Sequence, residues 1–368
     1  MRIVISGHTG FVGGHLLRNL NLHFPNHNLI LLNKEDFLSD NFNNKIQNED
    51  FIYHLAGVNR AETDNEVYRS NVEINSSILK HLKKINFKGK LYFSSSLQEN
   101  SNSLYGQAKK KAREDFDRLS KKLEFTFYSS LTPNVFGPFC KPFYNSFIAT
   151  FSHQLLNNQT PTIISDTKVK LINIDDYISS LLELLEGKSK TINFDFLTEI
   201  KVSEVLEKLK MFFNQYIQEN KIPNLELKFD KELFNTFRSY INHKEFFPRS
   251  YQLHSDERGS FIELSKALTM GQSSYSTTNI GITRGDHFHT RKIERFSVIK
   301  GKAKIQFRKY LTDEIISFEL DGNSPSYVDM PIWYTHNITN IGKEELLTFF
   351  WINEPYDQND PDTYPEIV

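Results

Sequence analysis

The chain has 368 residues with a formal net charge of −1, so two domains are expected and no charged field is offered to nucleic acid or an anionic membrane surface. Cys140 is the only cysteine, which excludes a disulfide framework and fits a reducing, cytoplasmic setting. No apolar run reaches membrane-spanning length, and no internal repeat is visible.

The apolar start "MRIVIS" runs straight into glycines, unlike a signal peptide, and reads as a buried parallel strand. Gly7, Gly10 and Gly13 follow at three-residue spacing, and Leu16, Leu17 and Leu20 then recur with helical period. Strand, glycine turn and helix bring backbone N–H groups to a helix N-terminus where a diphosphate can sit. A second strand, Leu29–Leu32, ends in Asn33 and Lys34 with no acid at its tip. A cation there suits a 2′-phosphate and favours NADP(H), although Glu35 and Asp36 stand close by and argue the other way.

Two further strand-to-loop segments are "DFIYHLAGVNR" (residues 50–60) and "KLYFSSSLQ" (residues 90–98), the second with hydroxyls at its C-terminal end. Nine residues after Ser96 comes Tyr105, four residues before Lys109. On a helix that spacing puts phenol and ammonium on one face, where the cation favours the phenolate. Such a Tyr can protonate a carbonyl oxygen as hydride reaches the carbon. Tyr240 and Lys244 have the same spacing, so the weight lies in the order of glycine turn, serine and Tyr-x-x-x-Lys.

On these segments, with PNVFG (Pro133–Gly137), residues 1–240 resemble the extended short-chain dehydrogenase/reductase family, an α/β Rossmann fold. The resemblance implies a catalytic set of Ser96, Tyr105 and Lys109, with Ser94 and Ser95 as spacers or hydrogen-bond partners. It implies cofactor contacts from Gly7, Gly10, Phe11, Val12, Gly13, Lys34, Leu55, Ala56, Gly57, Tyr105 and Lys109, and a substrate contact from Asn134. The arginine that many relatives carry shortly before PNVFG is missing from "YSSLTPNVFG". Lys141, Tyr144 and Asn145 fall where such folds build the substrate lobe, and Lys141 suits a diphosphate.

From Tyr251 helical periodicity gives way to many short β-rich runs broken by Gly, Asn, Asp and Pro, the pattern of an antiparallel barrel or jelly roll. The boundary is expected near Pro248, giving domains of residues 1–246 and 250–368. His287 and His289 share one side of a strand, Glu294 follows on the same hairpin, and His336 comes from a later strand. Three imidazoles and a carboxylate suit Zn²⁺ or another borderline divalent ion. The spacing from Gly281 through His287, His289 and Glu294 to Gly301, with Pro331, His336 and Asn340, resembles the cupin family, an all-β jelly-roll barrel. Trp333 stands where a glycine is usual.

"DERGSFIE" (residues 256–263) and "TRGDH" (residues 283–287) also resemble the cupins that epimerise nucleotide-linked 4-keto-6-deoxysugars. That likeness implies that Arg258 and Arg284 hold a diphosphate and that His287 is the base. One lone pair cannot both ligate a metal and accept a proton. Either His287 is a ligand and another group, such as Tyr334, is the base, or the ion uses only His289, Glu294 and His336.

The whole chain resembles the capsular-polysaccharide and O-antigen enzymes of the CapF/WbjC kind, on "HLAGVNR", "CKPFYNS", "DERGSF", "PIWYTHN" and "NDPDTY". The resemblance implies a bifunctional enzyme: C3 epimerisation of a UDP-2-acetamido-2,6-dideoxy-4-hexulose in the cupin, then NADPH-dependent C4 reduction to a UDP-2-acetamido-2,6-dideoxy-L-talose, toward UDP-N-acetyl-L-fucosamine. A dTDP-sugar is the alternative substrate. A simple 4-ketosugar reductase with a ketoisomerase or dimerising cupin is the rival enzyme, and a non-enzymatic NADPH sensor the rival class. A homodimer is implied by both domain families.

Overall fold

The computed structural model describes every residue except 39–41, 43–44, 188–191, 193, 195–196, 252, 257–258, 263–270 and 355–356. The described chain forms two compact units, Met1–Thr150 with Ile163–Ser203, and Phe151–Thr162 with Glu204–Val368.

In the first unit, β1 (Arg2–Ser6), α1 (Phe11–His23), β2 (Asn28–Leu32), α2 (Lys34–Leu38), β3 (Phe51–His54), α3 (Asp64–Lys84), β4 (Lys90–Ser94), α4 (Leu104–Leu123) and β5 (Thr126–Ser130) alternate along the chain. The five strands are parallel in the order β2-β1-β3-β4-β5. Strand alternation sends Ile3 and Ile5 into a core with Leu16, Leu20 and Leu181, and Val4 into another with Ile52, Ile78, Phe93 and Phe116. Both faces of the sheet are thus covered, as a parallel sheet requires. The strand order reverses at β1, so a crevice is expected beyond the C-terminal ends of β1 and β3. Helix α3 starts at a capping box of Thr63 and Glu66, and α4 starts where Ser103 Oγ accepts from Gly106 N–H at 3.1 Å. A smaller sheet, β6 (Asn134–Phe136), β7 (Lys168–Asn173) and β8 (Thr198–Lys201), follows, with α5 (Phe147–Leu156) and α6 (Ile174–Glu186) along the same stretch of chain.

The second unit takes in the part of α5 from Phe151 onward, most of α7 (Val202–Phe212), one turn of π-helix at Phe213–Gln218, α8 (Lys228–Arg238) and α9 (His243–Phe246). The strands β9 (Arg249–Ser250), β10 (Leu253–Asp256), β11 (Gly259–Ile262), β12 (Gln272–Thr278), β13 (Thr283–Phe288), β14 (Glu294–Lys300), β15 (Lys302–Lys309), β16 (Ile315–Asp321), β17 (Ser326–Met330), β18 (Tyr334–Asn340), β19 (Leu346–Ile352) and β20 (Tyr364–Pro365) complete it. Two antiparallel five-stranded sheets, β12-β19-β14-β17-β9 and β16-β15-β18-β13-β20, enclose a core that includes Val298, Ile305, Phe307, Val328 and Ile338. This is the expected jelly-roll character.

Packing divides the chain earlier than the change of secondary structure near Pro248. The segment from Glu204 packs with the β-rich unit because buried polar groups tie it there. Arg295 on β14 is 1% exposed and clamps Asp329 on β17, which is 0% exposed, through bonds of 2.7 and 3.0 Å. Tyr216 of the π-helical turn donates to the same carboxylate, Arg238 of α8 donates to the Met330 carbonyl, and Arg249 donates to Asn220 Oδ1 at 2.7 Å. The Arg295 guanidinium also lies 3.9 Å from the centroid of the Tyr327 ring. Breaking a buried pair strands the surviving charge, which typically costs about 3–5 kcal/mol. Asp329→Ala is expected to lose about that much stability in urea unfolding followed by tryptophan fluorescence. Both tryptophans, Trp333 and Trp351, belong to this unit and report on it selectively. A loss below about 1 kcal/mol would show that the network carries little of the packing.

Candidate functional sites

The glycine turn after β1 is shaped by contacts that leave no room for side chains. Gly7 has φ +74° and a Cβ there would lie 2.7 Å from Ala56 N, while a Cβ on Gly13 would lie 2.1 Å from Gly7 O. Gly10 caps α1, so Phe11 and Val12 form its first turn beside the loop. The HLAG segment is held against this turn. Ser6 Oγ accepts from the N–H groups of Leu55 (3.1 Å) and Ala56 (3.2 Å), and donates to His54 Nδ1 at 2.6 Å. The other ring nitrogen of His54 donates to Asn75 Oδ1 at 2.9 Å. Burial first, then the Lys109 charge, lowers the His54 pKa to about 3, so the ring stays neutral in this chain of bonds. Asn71 completes the loop by exchanging bonds of 2.7 and 3.1 Å with the Val58 backbone. Ser6, His54, Asn71 and Asn75 are positioning residues that the motif reading did not single out.

Lys34 begins α2 and is exposed. Of the two competing acids Asp36 is already engaged: its Oδ2 accepts from Asn33 N–H and from Lys45 Nζ, both at 2.7 Å, while Glu35 is exposed beside Lys34.

Tyr105 and Lys109 come together, and the turn that begins at Ser96 packs against the start of their helix. Ser96 caps a short 3₁₀ turn, Leu97–Asn100, with its Oγ accepting from Gln98 N–H at 3.2 Å. Gly106 lies against that turn, where a Cβ would fall 2.0 Å from Gln98 O, so the glycine following Tyr105 is a packing requirement. Glu99, buried, takes a forked salt bridge from Arg113 of α4 at 2.7–3.0 Å and a bond from Ser95, which fastens the serine loop to the helix bearing Tyr105. Lys109 Nζ donates to the Ser94 carbonyl at 3.0 Å, lies 5.8 Å from the Tyr105 ring centroid, and would sit 3.3 Å from a Cβ on Gly57. The helix bearing Tyr105 and the HLAG loop therefore meet at this ammonium.

The expected lowering of the phenol pKa is overturned. Burial, reinforced by Tyr177 and Tyr144, pushes Tyr105 up to about 12, while burial brings Lys109 from its ordinary 10.5 down to about 8. Desolvation of both groups outweighs their attraction. Behind Ser94 lies a cluster of hydroxyls unseen in the sequence. Tyr177 OH contacts Tyr92 OH (2.7 Å), Ser94 Oγ (2.9 Å) and Thr132 Oγ1 (3.2 Å), and Ser130 bridges Tyr92 and Thr132.

Of the expected substrate contacts, Lys141 and Asn145 are exposed on the loop before α5, and Asn134 is exposed on β6. Tyr144 acts electrostatically on Tyr105, which brings this loop to the reductase site, and Arg60 Nη1 steadies it by donating to the Phe143 carbonyl at 3.0 Å. Arg284 is exposed and donates to the Thr277 carbonyl at 3.0 Å. Arg258 lies outside the described residues.

In the second unit His287, His289, Glu294 and His336 converge, one donor atom from each lying within 4.8 Å of the others. His287 and His336 are register partners on β13 and β18, and Glu294 opens β14. β13 and β14 belong to different sheets, so Glu294 comes from the other sheet and not from a shared hairpin as the sequence suggested. A bulge at Gly285 and Asp286 aims β13: Gly285 has φ +102°, and a Cβ there would lie 2.9 Å from His336 O. His336 Nδ1 donates to the Tyr334 carbonyl at 3.1 Å and His289 Nδ1 to the Asp362 carbonyl at 2.5 Å. In both rings this leaves the Nε2 lone pair for the cluster. His336 Nε2 lies 3.2 Å from Glu294 Oε2, and so does His289 Nε2, which is buried without a hydrogen bond. Two imidazole nitrogens gathered on one buried carboxylate oxygen form the donor set a divalent ion suits once it displaces their protons.

Glu294 is 5% exposed. Burial opposes its charge, but His289 and His336 outweigh it and hold its pKa below the usual range. Burial likewise opposes charging His289, and Glu294 with Asp362 reverses the net direction to a raised pKa. Burial, with His336 and His289, lowers His287 to about 4. Tyr334, the alternative base, packs its ring against His243 and Phe307. Trp333 has φ +60°, which is why glycine is usual at that place, and stacks on Phe288 at 5.6 Å.

Residues 3–194 match the NAD dependent epimerase/dehydratase family, and residues 254–364 match the polysaccharide biosynthesis C-terminal domain. The first match spans more than half of the chain. This chain belongs to the NAD dependent epimerase/dehydratase family. It is thus an enzyme of a family that uses a nicotinamide cofactor, with a Rossmann-type first unit and a cupin-like second one. It is 31% identical to the UDP-2-acetamido-2,6-beta-L-arabino-hexul-4-ose reductase of Pseudomonas aeruginosa, across 99% of this chain and 98% of that protein. It is 33% identical to the capsular polysaccharide assembling protein CapF of Staphylococcus aureus, whose crystal structure covers the whole of both chains with a TM-score of 0.65. The UDP-glucose 4-epimerase of Thermotoga maritima, at 17% identity and a TM-score of 0.54 over 65% of this chain and 98% of that one, shares the first unit's fold. Among the described residues no helix is long and apolar enough to cross a membrane.

Lys109 carries a test of this site in the cofactor-free protein. Its folded pKa lies below its unfolded one, so the unfolded chain holds more protons between about pH 8 and 10.5. The burial penalty is therefore present in full below pH 8 and fades as the pH rises to 10.5. It amounts to at most roughly 3 kcal/mol, offset in a substitution by the lost bond to Ser94, about 1 kcal/mol. Lys109→Met is expected to stabilise the protein by about 1–2 kcal/mol at pH 7, and the gain to vanish near pH 10.5. A loss of stability at pH 7 would contradict the burial argument.

Proposed function

We propose that this enzyme converts a UDP-2-acetamido-2,6-dideoxy-4-hexulose in two steps, C3 epimerisation at the cupin-type cluster and C4 reduction at the Tyr105 site, giving a UDP-2-acetamido-2,6-dideoxy-L-talose. The observation that carries this is the presence of both constellations in one chain: a Tyr105/Lys109 pair meeting the HLAG loop that packs on the glycine turn, and three imidazoles with a carboxylate. The name of the P. aeruginosa relative supports the nucleotide, the 4-ketosugar and the reduction.

When bound, the nicotinamide supplies hydride and a divalent ion such as Zn²⁺ supplies Lewis acidity toward the ketone. Gly7, Gly10, Phe11, Val12, Gly13, Leu55, Ala56 and Gly57 line the cofactor cleft. Lys34, with Asp36 turned onto Lys45, favours NADPH. Tyr105, kept protonated by burial, donates its proton to O4; Lys109 holds phenol and ribose in place, and Ser96 donates a hydrogen bond to the same oxygen. Asn134, Lys141 and Asn145 receive the sugar nucleotide, and Arg258 and Arg284 serve its diphosphate at the cupin. His289, Glu294 and His336 are the buried set suited to the ion. His287, the least buried of the four, takes the C3 proton. A second reading makes His287 a fourth ligand, favoured by the convergence of all four donor atoms. We place the enzyme in the cytoplasm as a homodimer, acting on a small molecule and on neither nucleic acid nor membrane.

Tyr105→Phe is expected to lower NADPH oxidation by at least 10²-fold while C3–H exchange in D₂O, read by NMR, continues. His336→Ala reverses the pattern, abolishing exchange. His287→Gln that retains a stoichiometric ion but loses exchange supports the base; loss of the ion supports the ligand reading. NADPH turnover in Tyr105→Phe within a few-fold of the parent would sink the reductase assignment, and unchanged C3 stereochemistry of the product after metal stripping would reduce the cupin to a platform.

Lys34→Glu is expected to raise the KM for NADPH by at least 10-fold while sparing NADH, as a carboxylate replaces the cation beside the 2′-phosphate. An unchanged cofactor preference in steady-state kinetics would remove Lys34 from the cofactor site.

A further inference from the structure

The segment Asp360–Val368 runs along β13 and the loop that joins it to β14, the stretch that carries three of the four cluster residues. Tyr364 and Pro365 form β20, pairing with Phe288 and His287 of β13. Glu366 N–H donates to the Asp286 carbonyl at 2.9 Å, and Thr335 Oγ1 donates to the Glu366 carbonyl at 2.5 Å, next to His336. The Asp286 carboxylate accepts from Asn337 Nδ2 at 2.8 Å and from Val368 N–H at 3.4 Å. The strand bearing His287 is therefore fastened at the bulge itself.

The tightest contacts fall on the loop between His289 and Glu294. Asp362 is 2% exposed, with φ +41°. Its carboxylate accepts from the N–H groups of Thr290 (3.1 Å), Arg291 (2.9 Å) and Lys292 (3.0 Å), and from Thr290 Oγ1 (2.6 Å). Three successive backbone donors aimed at one buried anion fix the loop's course. The Asp362 carbonyl meanwhile accepts the Nδ1 proton of His289, which settles the tautomer and turns Nε2 toward Glu294. Arg291 pairs with Asp360 at 2.8 Å, and Lys292 Nζ donates to the Pro361 carbonyl at 2.7 Å. One residue thus orients one imidazole and sets the span to the carboxylate it must meet.

We propose that Asp360–Val368 is a working part of the metal centre, with Asp362 the positioning residue that holds His289 Nε2 and the span to Glu294 in ion-binding geometry. The proposal rests on the divalent-ion reading given above. The test is Zn²⁺ affinity of the full-length protein, by competition with a chromophoric chelator, beside the visible absorption of the Co²⁺ form, which reads ligand geometry. Asp362→Ala is expected to weaken Zn²⁺ by about 10- to 100-fold and to alter the Co²⁺ bands. Both variants keep the backbone carbonyl that meets His289; Asp362→Asn also keeps one side-chain acceptor for the loop and is expected to fall between Ala and the parent. If Asp362→Ala does not fold, Asp362→Asn alone decides. Affinities within twofold of the parent with unchanged Co²⁺ bands would overturn the proposal while leaving the divalent-ion reading intact. A parent protein that takes up no ion would overturn both.

Discussion

Adjacent residues of β14 carry buried charges of opposite sign on opposite faces of one strand. Glu294 points to the imidazole cluster and Arg295 to Asp329 and the helical segment. Each charge costs several kcal/mol to desolvate, so neither face tolerates a loose partner. The period-2 geometry of the strand couples the two requirements: a register slip would exchange the faces and strand both charges. The inner geometry of the cluster and the outer docking of Glu204–Phe247 are thus specified by the same strand.

The molecule meets the cost of burying ionisable groups in three ways. Arg295 and Asp329 keep their charges and satisfy each other, with Tyr216 taking up a remaining lone pair. Glu294 and its imidazoles pool lone pairs on a common point. Around Tyr105 burial works against charge instead: Tyr105 is held protonated, Lys109 is brought down to about 8 and His54 stays uncharged. The hydroxyls around Tyr177 fit this scheme, since neutral groups that both donate and accept satisfy one another without adding a field that would fix either proton.

What was legible in the sequence was local. The glycine turn, Tyr105 with Lys109, and His287 with His289 are short spacings whose geometry follows from a strand or a helix alone. The Rossmann-type and jelly-roll architectures followed from the switch of hydrophobic period. What was hidden is long-range. Tyr177 meets Ser94 across 83 residues, Asp362 meets His289 across 73, and Arg60 meets Phe143 across 83. No periodicity carries such pairings. The unit boundary escaped for the same reason: Tyr216, Arg238 and Arg249 look like ordinary helix and linker residues until Asp329, Met330 and Asn220 are brought beside them. The lowered phenol pKa failed because it weighed an attractive neighbour without the burial of both groups.

Under the proposed reading, chemistry orders the two steps. The hydrogen at C3 is acidic only while C4 is a ketone, because the enolate needs that carbonyl to receive its charge. Reduction destroys the carbonyl, so a sugar reduced first can no longer epimerise, and one epimerised first can still revert until it is reduced. The sequence of events therefore needs no gate in the protein, only that the reductase site discriminate between the two C3 epimers. That demand falls on the surroundings of Tyr105, where Tyr144 and the loop steadied by Arg60 stand. A hydroxyl of the wrong configuration at C3 would leave a buried polar partner unmatched, a penalty of about 1–3 kcal/mol, enough for roughly 10- to 100-fold selection. Fidelity of the whole conversion then resides in the reductase unit, although the stereochemical change itself is made in the other.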